Sequence, residues 1–188
     1  MEIINTELIL ADIKTIERSL IKIEKLVRAN KPEGILAKKV LSNLLEHLNS
    51  GYAARSFVRE SKENVCIQNL FLLTDKPMIY VANIDDEGGN SKQLADAAVV
   101  ATKNSSSFIK INGKLESEMA EFAEEEKDMI LKDYNIDESG LSVLIKEAYK
   151  TLGLETFFTC GEKEVRAWTM KKDSQAVEAA GEIHTDFS

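Results

Sequence analysis

Two short apolar runs, MIYVAN at Met78–Asn83 and FIKIN at Phe108–Asn112, stand on either side of a helix-length stretch, Ser91–Lys103. Continuous apolar runs of this length suit strands buried on both faces, and Pro77 lies at the start of the first, where no ladder donor is needed. Strand, helix, strand at this spacing predicts a right-handed βαβ unit and therefore a parallel sheet. Ligands of such sheets bind outside the carboxyl ends of the strands. The loops that follow the runs, NIDDEGG and NGKLE, are therefore the first place to look for function. Taken alone, the first loop admits a metal site, a plain exit from a strand, or a loop that reads a nucleotide base.

The rest of the chain is mostly helical in pattern. Ile13, Ile16, Leu20, Ile23 and Val27 recur at alternating steps of three and four, the stripe of a coiled-coil seam. ANKPEG breaks that helix at Pro32 and Gly34, and a second helix carries Leu41, Leu44 and Leu48. So short a turn predicts an antiparallel hairpin with the stripe as its internal seam. A third helix is expected over Lys62–Leu73, capped by Ser61. Beyond the second strand, LESEMAEFAEEEKDMILKDY and SGLSVLIKEAYKTLG read as two amphipathic helices separated near Asn135–Gly140. ETFFTCG and EVRAWTM then read as a strand hairpin, followed by a helix at AVEAAGEIH. Two strands and one short helix bury too little to be a domain, so this last unit reads as incomplete.

Charge and composition narrow the function classes. With 188 residues, 44% hydrophobic and 30% charged, the chain has the balance of a globular protein. It contains no long apolar run and no N-terminal signal pattern, so a cytosolic protein is expected, with no membrane partner. Cys66 and Cys160 lie far apart, and His47 and His184 are not spaced with them as ligands, so no metal site is expected. The net charge is -8. The basic residues nevertheless gather at Lys22, Lys25, Arg28, Lys31, Lys38 and Lys39, around the tip of the expected hairpin. Such a tip is either a solvated helix face or a phosphate-contacting surface. Nothing in it points to DNA sequence specificity.

Four segments carry a resemblance that is specific in order and spacing: INTELILADI at Ile4–Ile13, KPMIYVAN at Lys76–Asn83, EVRAWT at Glu164–Thr169 and AAGEIHTDF at Ala179–Phe187. Together they resemble the YchF subfamily of Obg-like ATPases and GTPases, over practically the whole chain. The resemblance implies an α/β fold: the distal part of a P-loop G domain, with a helical coiled-coil hairpin insertion and a truncated β-grasp TGS segment. It divides the chain into residues 1–66, the insertion with its G-domain junctions; 67–152, the distal half of the G domain; and 153–188, an incomplete TGS domain.

For function, the resemblance implies a purine-nucleotide site for ATP or GTP with Mg2+, and association with ribosome or RNA. Asn83 and Ile84 match the first base-reading loop of the family, and Asn112, Gly113 and Lys114 match the second, with Gly113 as a backbone donor to the base. Asp86 stands where the family has a glutamate, and Ile84 where guanine readers have a lysine. An aspartate restores the reach of true guanine readers, and one charge-assisted hydrogen bond contributes roughly 1.5 to 3 kcal/mol, worth a ten- to hundredfold preference. The sequence holds no G-x-x-x-x-G-K-[ST] phosphate loop, no switch segment and no magnesium-holding aspartate motif, and no catalytic residue is assigned. This polypeptide alone is therefore expected neither to bind nucleotide tightly nor to hydrolyse it. The alternatives are an RNA- or ribosome-binding module acting through the basic hairpin and TGS segment, and a split-gene product with no activity of its own.

Overall fold

The computed structural model describes residues 2–85, 87–134, 136–162 and 164–184, and for Glu124 and Glu125 the backbone alone. The chain forms two compact units, residues 1–77 and 78–188.

In the first unit, α1 (Glu2–Arg28) turns back through residues 29–31 into α2 (Pro32–Asn49). Of the expected stripe, Ile16 is fully buried, and Ile13, Leu20 and Ile23 pack against a core of Ile9, Val40, Leu41, Leu44 and Leu48. Each fully buried side chain among them is worth roughly 1.5–3 kcal/mol. Pro32 opens α2, where its missing N–H costs no helical bond. Gly34 is buried against α1; an added Cβ would sit 2.7 Å from Leu26 Cβ. A short 3-10 turn (Ala54–Ser56) leads to α3 (Ser61–Gln68).

The third helix departs from expectation at both ends. Glu60, not Ser61, is its N-cap, and the Glu63 carboxylate accepts the Glu60 N–H at 3.0 Å. It ends at Gln68 in short turns, Leu70 N–H to the Ile67 carbonyl and Phe71 N–H to that of Gln68, and beyond them the buried carboxylate of Asp12 on α1 accepts the N–H groups of Leu73 and Thr74, both at 2.8 Å. A helix running on to Leu73 would need that backbone to bond to carbonyls four residues back. Phe71 takes up the change of direction with a φ of 50°.

In the second unit, β1 (Ile79–Asn83) pairs in parallel with β2 (Ser107–Ile111), Ile79 opposite Ser107 and Asn83 opposite Ile111. The crossover helix α4 (Ser91–Lys103) packs on both strands, as the βαβ reading requires. The following acidic stretch is two helices, not one: α5 (Gly113–Met119) and α6 (Glu124–Asp133). Glu121 and Phe122 close α5 with short turns back to Glu118 and Met119, and Ala123, extended at ψ 157°, caps α6 by giving its N–H to Glu126.

α7 (Gly140–Leu152) packs on β2 and ends at Gly153, whose left-handed φ of 62° is the conformation glycine adopts without strain. The chain then enters β3 (Leu154–Cys160), paired antiparallel with β4 (Val165–Lys171), and α8 (Ala176–Ile183) packs on β4. Within this hairpin Trp168 Nε1 donates to Thr159 Oγ1 at 2.9 Å, and the Arg166 guanidinium lies 4.2 Å from the Trp168 ring. No described helix is long and apolar enough to cross a membrane.

Candidate functional site

The parallel register brings the ends of β1 and β2 side by side, and two hydrogen bonds continue the pairing into the loops. Ile84 N–H donates to the Ile111 carbonyl at 2.9 Å, extending the ladder one residue past β1. Beyond it, the Asn83 side-chain oxygen accepts the Gly113 N–H at 3.0 Å. Gly113 has no side chain to keep Asn83 away; an added Cβ would lie 3.1 Å from that oxygen.

Each loop is also fastened to itself. Asn112 is the N-cap of α5, its Oδ1 accepting the Leu115 N–H at 3.0 Å, the side-chain cap that supplies an orphan first-turn donor with a partner. In the first loop Asp85 does the equivalent: its Oδ1 accepts the Gly89 N–H at 3.0 Å and its carbonyl accepts that of Gly88. The turn requires positive φ at both glycines, 88° and 73°. Ile84 tucks beneath it, its Cγ2 lying 3.2 Å from where a Cβ on Gly89 would stand. Asn90 then caps α4, accepting from Lys92 and Gln93.

Between the loops lies an open cleft of about 370 Å³ lined by Asn83, Ile84, Asp85, Asn112 and Lys114. That volume lies within the range of small-molecule sites, and the lining offers amide donors and acceptors, a carboxylate and an ammonium around one aliphatic side chain. Of the residues singled out from sequence, Asn83, Ile84, Asn112, Gly113 and Lys114 therefore converge. Asp86 lies outside the described residues. The Gly113 N–H, expected to face a base, donates to Asn83 in this geometry.

One contact at the site has no counterpart in the sequence reading. Glu116, half-buried on the first turn of α5, accepts the Gly140 N–H at 2.5 Å and so ties the second loop to the start of α7. Farther along the same helix Glu147 accepts the Ser107 hydroxyl at 2.6 Å and pairs with Lys150 at 3.3 Å. The Ser107 hydrogen bond, followed by those of Lys150, holds the Glu147 carboxyl below the usual glutamate range. Among the described residues no group of three His, Cys, Asp or Glu side chains is arranged to hold a metal ion.

The six cations singled out in the first unit lie on α1 and α2. Lys22, Lys25 and Arg28 lie on the last turns of α1, Lys31 caps α2, and Lys38 and Lys39 follow on its exposed side. All six are exposed. Arg28 is paired with Glu24 at 2.9 Å, an exposed i,i+4 contact worth about 0.3–0.5 kcal/mol.

Comparison with known proteins gives a consistent picture. Residues 154–188 match the family YchF-GTPase_C, described as a protein of unknown function (DUF933). The Ribosome-binding ATPase YchF of Bacillus subtilis (strain 168) is 42% identical over 192 residues, covering 100% of this chain and 52% of that protein. The Ribosome-binding ATPase YchF of Escherichia coli O157:H7 is 36% identical over 188 residues, with the same coverage. The structure of the Schizosaccharomyces pombe YchF GTPase superposes with a TM-score of 0.83 at 31% identity, covering 98% of this chain and 51% of that one. The chain is similar to YchF proteins from end to end, and it spans about half the length of the relatives it matches.

Proposed function

We infer that a chain similar to YchF proteins along its whole length shares with them a purine-nucleotide site, whose base-contacting end is formed by Asn83, Ile84, Asp86, Asn112, Gly113 and Lys114. The observation that carries this reading is the bond between Asn83 and the Gly113 N–H, which joins two loops from neighbouring parallel strands around one cleft. A base placed there lies against Ile84 and takes hydrogen bonds from the asparagine amides and Lys114. Asp86 is the acceptor for its ring and exocyclic N–H groups. A base that takes the Gly113 N–H does so by exchange with Asn83.

The residues present suit a base and not the phosphates. Phosphate and Mg2+ contacts supply much of a nucleotide's binding energy, and the glycine-rich lysine loop that makes them is not in this sequence. ATP or GTP with Mg2+ therefore binds this polypeptide weakly and is not hydrolysed by it. In this reading residues 67–152 are the distal part of a G domain, 153–188 a part of a TGS domain, and the protein works in the cytoplasm.

Amide-resolved NMR titration with millimolar MgATP and MgGTP tests the proposal. Shifts are expected at residues 83–89 and 112–115, and they should differ between adenine and guanine. Equal shifts with ribose 5-phosphate, or none in these loops, would reject the base site. Phosphate release above background would reject the claim of inactivity.

A second reading rests on the exposed cations of the α1–α2 tip: that surface binds RNA phosphates, in keeping with the ribosome-binding names of the relatives. It calls for RNA affinity that falls with salt and is lost in the triple variant K22A/K25A/R28A, with no preference for DNA sequence. Salt-independent binding, or an unchanged triple variant, would exclude it.

A further inference from the structure

We propose that Glu116 is a positioning residue for the second loop of that site, setting where Gly113 and Lys114 stand; the inference deepens the base-site reading and rests on it. α5 is a helix of seven residues, too short to hold its own first turn in place. Two buried side chains, Leu115 and Met119, fix its inner face. Its first turn is held by two other elements: Asn83 takes the Gly113 N–H from β1, and Glu116 reaches the Gly140 N–H at the head of α7.

The contact with α7 is fitted rather than incidental. α7 already has its own cap in Ser139, whose hydroxyl accepts the Ser142 N–H at 3.2 Å, so Glu116 serves a different donor from a different element. Gly140 leaves the space: a Cβ there would lie 3.1 Å from Glu116 Oε1 and 3.1 Å from both Cγ1 and Cγ2 of Ile111. Ile111 is the last residue of β2, next to Asn112, so carboxylate, helix start and strand end meet directly behind the loop. Because α7 packs on β2, the carboxylate ties α5 to a helix that is itself packed on the sheet. Removing it takes away one tether of the loop, while the bond from Asn83 to the Gly113 N–H remains.

Three variants separate positioning from bulk stability: E116A, E116Q, and S139A, which weakens the same end of α7 without touching Glu116. Hydrogen exchange at the Gly113 amide is compared with that at Ile109, which is buried in β2, and nucleotide titrations are run alongside. E116A should speed Gly113 exchange roughly tenfold relative to Ile109 and weaken MgGTP or MgATP binding by a similar factor. E116Q, which keeps an acceptor oxygen, should restore most of both. S139A should lower Tm and change neither. Unchanged Gly113 exchange in E116A, or the same pattern from S139A, overturns the proposal. If E116A frees Gly113 while the wild-type loops show no base-dependent shift, the positioning stands and the base-site reading falls.

Discussion

Asp12 and Thr74, 62 positions apart, are joined twice: the carboxylate accepts the threonine hydroxyl at 2.6 Å and its N–H at 2.8 Å. Thr74 passes the connection on, its Oγ1 accepting the Ala54 N–H at 2.9 Å and its carbonyl accepting both the N–H and Nη1 of Arg55 at 3.1 Å. Asp75 is held in turn by Arg59 at 2.8 Å. The last residues of the first unit are thus fastened to the long helix that opens it. A buried carboxylate in an apolar seam is tolerated because its oxygens receive these donors.

Removing the carboxylate should therefore cost more than any exposed substitution on α1. D12A leaves the Leu73 and Thr74 donors without partners, and a loss of about 2–4 kcal/mol is expected in urea denaturation. T74V removes both the hydroxyl donor to Asp12 and the acceptor of the Ala54 N–H, and should cost about 1–3 kcal/mol. Glu17 is exposed on the same helix, and E17A should stay within about 0.5 kcal/mol of wild type. A D12A loss no larger than that of E17A would show that the network contributes nothing.

Gly34 gives a prediction about shape. A Cβ at this position would meet Leu26 Cβ at 2.7 Å and the Leu26 backbone carbon at 3.0 Å. G34A should destabilise the hairpin by roughly 1–3 kcal/mol, despite alanine's better helix propensity. The clash involves atoms that alanine shares with leucine, so adding L26A should give no rescue. Recovery of stability in the double variant would mean that the flexible end of Leu26 was the obstacle.

These two positions show what a sequence conveys and what it hides. The seam was legible because Ile16 and Leu20 repeat with the helical period, and the βαβ unit because β1 and β2 are short, apolar and separated by one helix. The loops after them followed from strand direction alone. Asp12 was hidden because a charge inside an apolar stripe reads as a break in the pattern, and its partners arrive 61 and 62 residues later. α5 and α6 read as one helix because nothing at Ala123 signals a stop; the break is made by Glu126 accepting the Ala123 N–H, a capping contact with no strong residue preference at the cap itself. Glu116 was hidden for Asp12's reason, its partner Gly140 lying 24 residues away.

Glu147 predicts a pH dependence. Its carboxyl is held below the ordinary range by the Ser107 hydroxyl first and by Lys150 second. A carboxyl whose pKa is lower folded than unfolded stabilises the fold above the unfolded value, near 4.5, and loses that contribution as pH falls through the folded value. Wild type should therefore be more stable than S107A at pH 7, and the gap should narrow as pH falls below about 4.5. Urea denaturation across pH 3 to 7 reads it; a gap that widens on acidification would contradict the assignment.

The bond between Asn83 and Gly113 predicts how the two loops depend on each other. N83A leaves the Gly113 N–H without a partner, so its exchange should quicken roughly tenfold while β1 and β2 keep their pairing. N83D keeps an acceptor at the same reach and should retain the join between loops. It also places a second negative charge two residues from Asp85 in the cleft. If the cleft takes a purine, N83D should lose nucleotide affinity despite an intact loop, because the carboxylate lacks the amide's two donors. Fast Gly113 exchange in N83A, slow exchange in N83D and weakened base-dependent shifts in both would separate the joining role of Asn83 from its contact with the base. Wild-type nucleotide shifts in N83D would show that only the acceptor oxygen matters and that the base contacts lie elsewhere in the two loops.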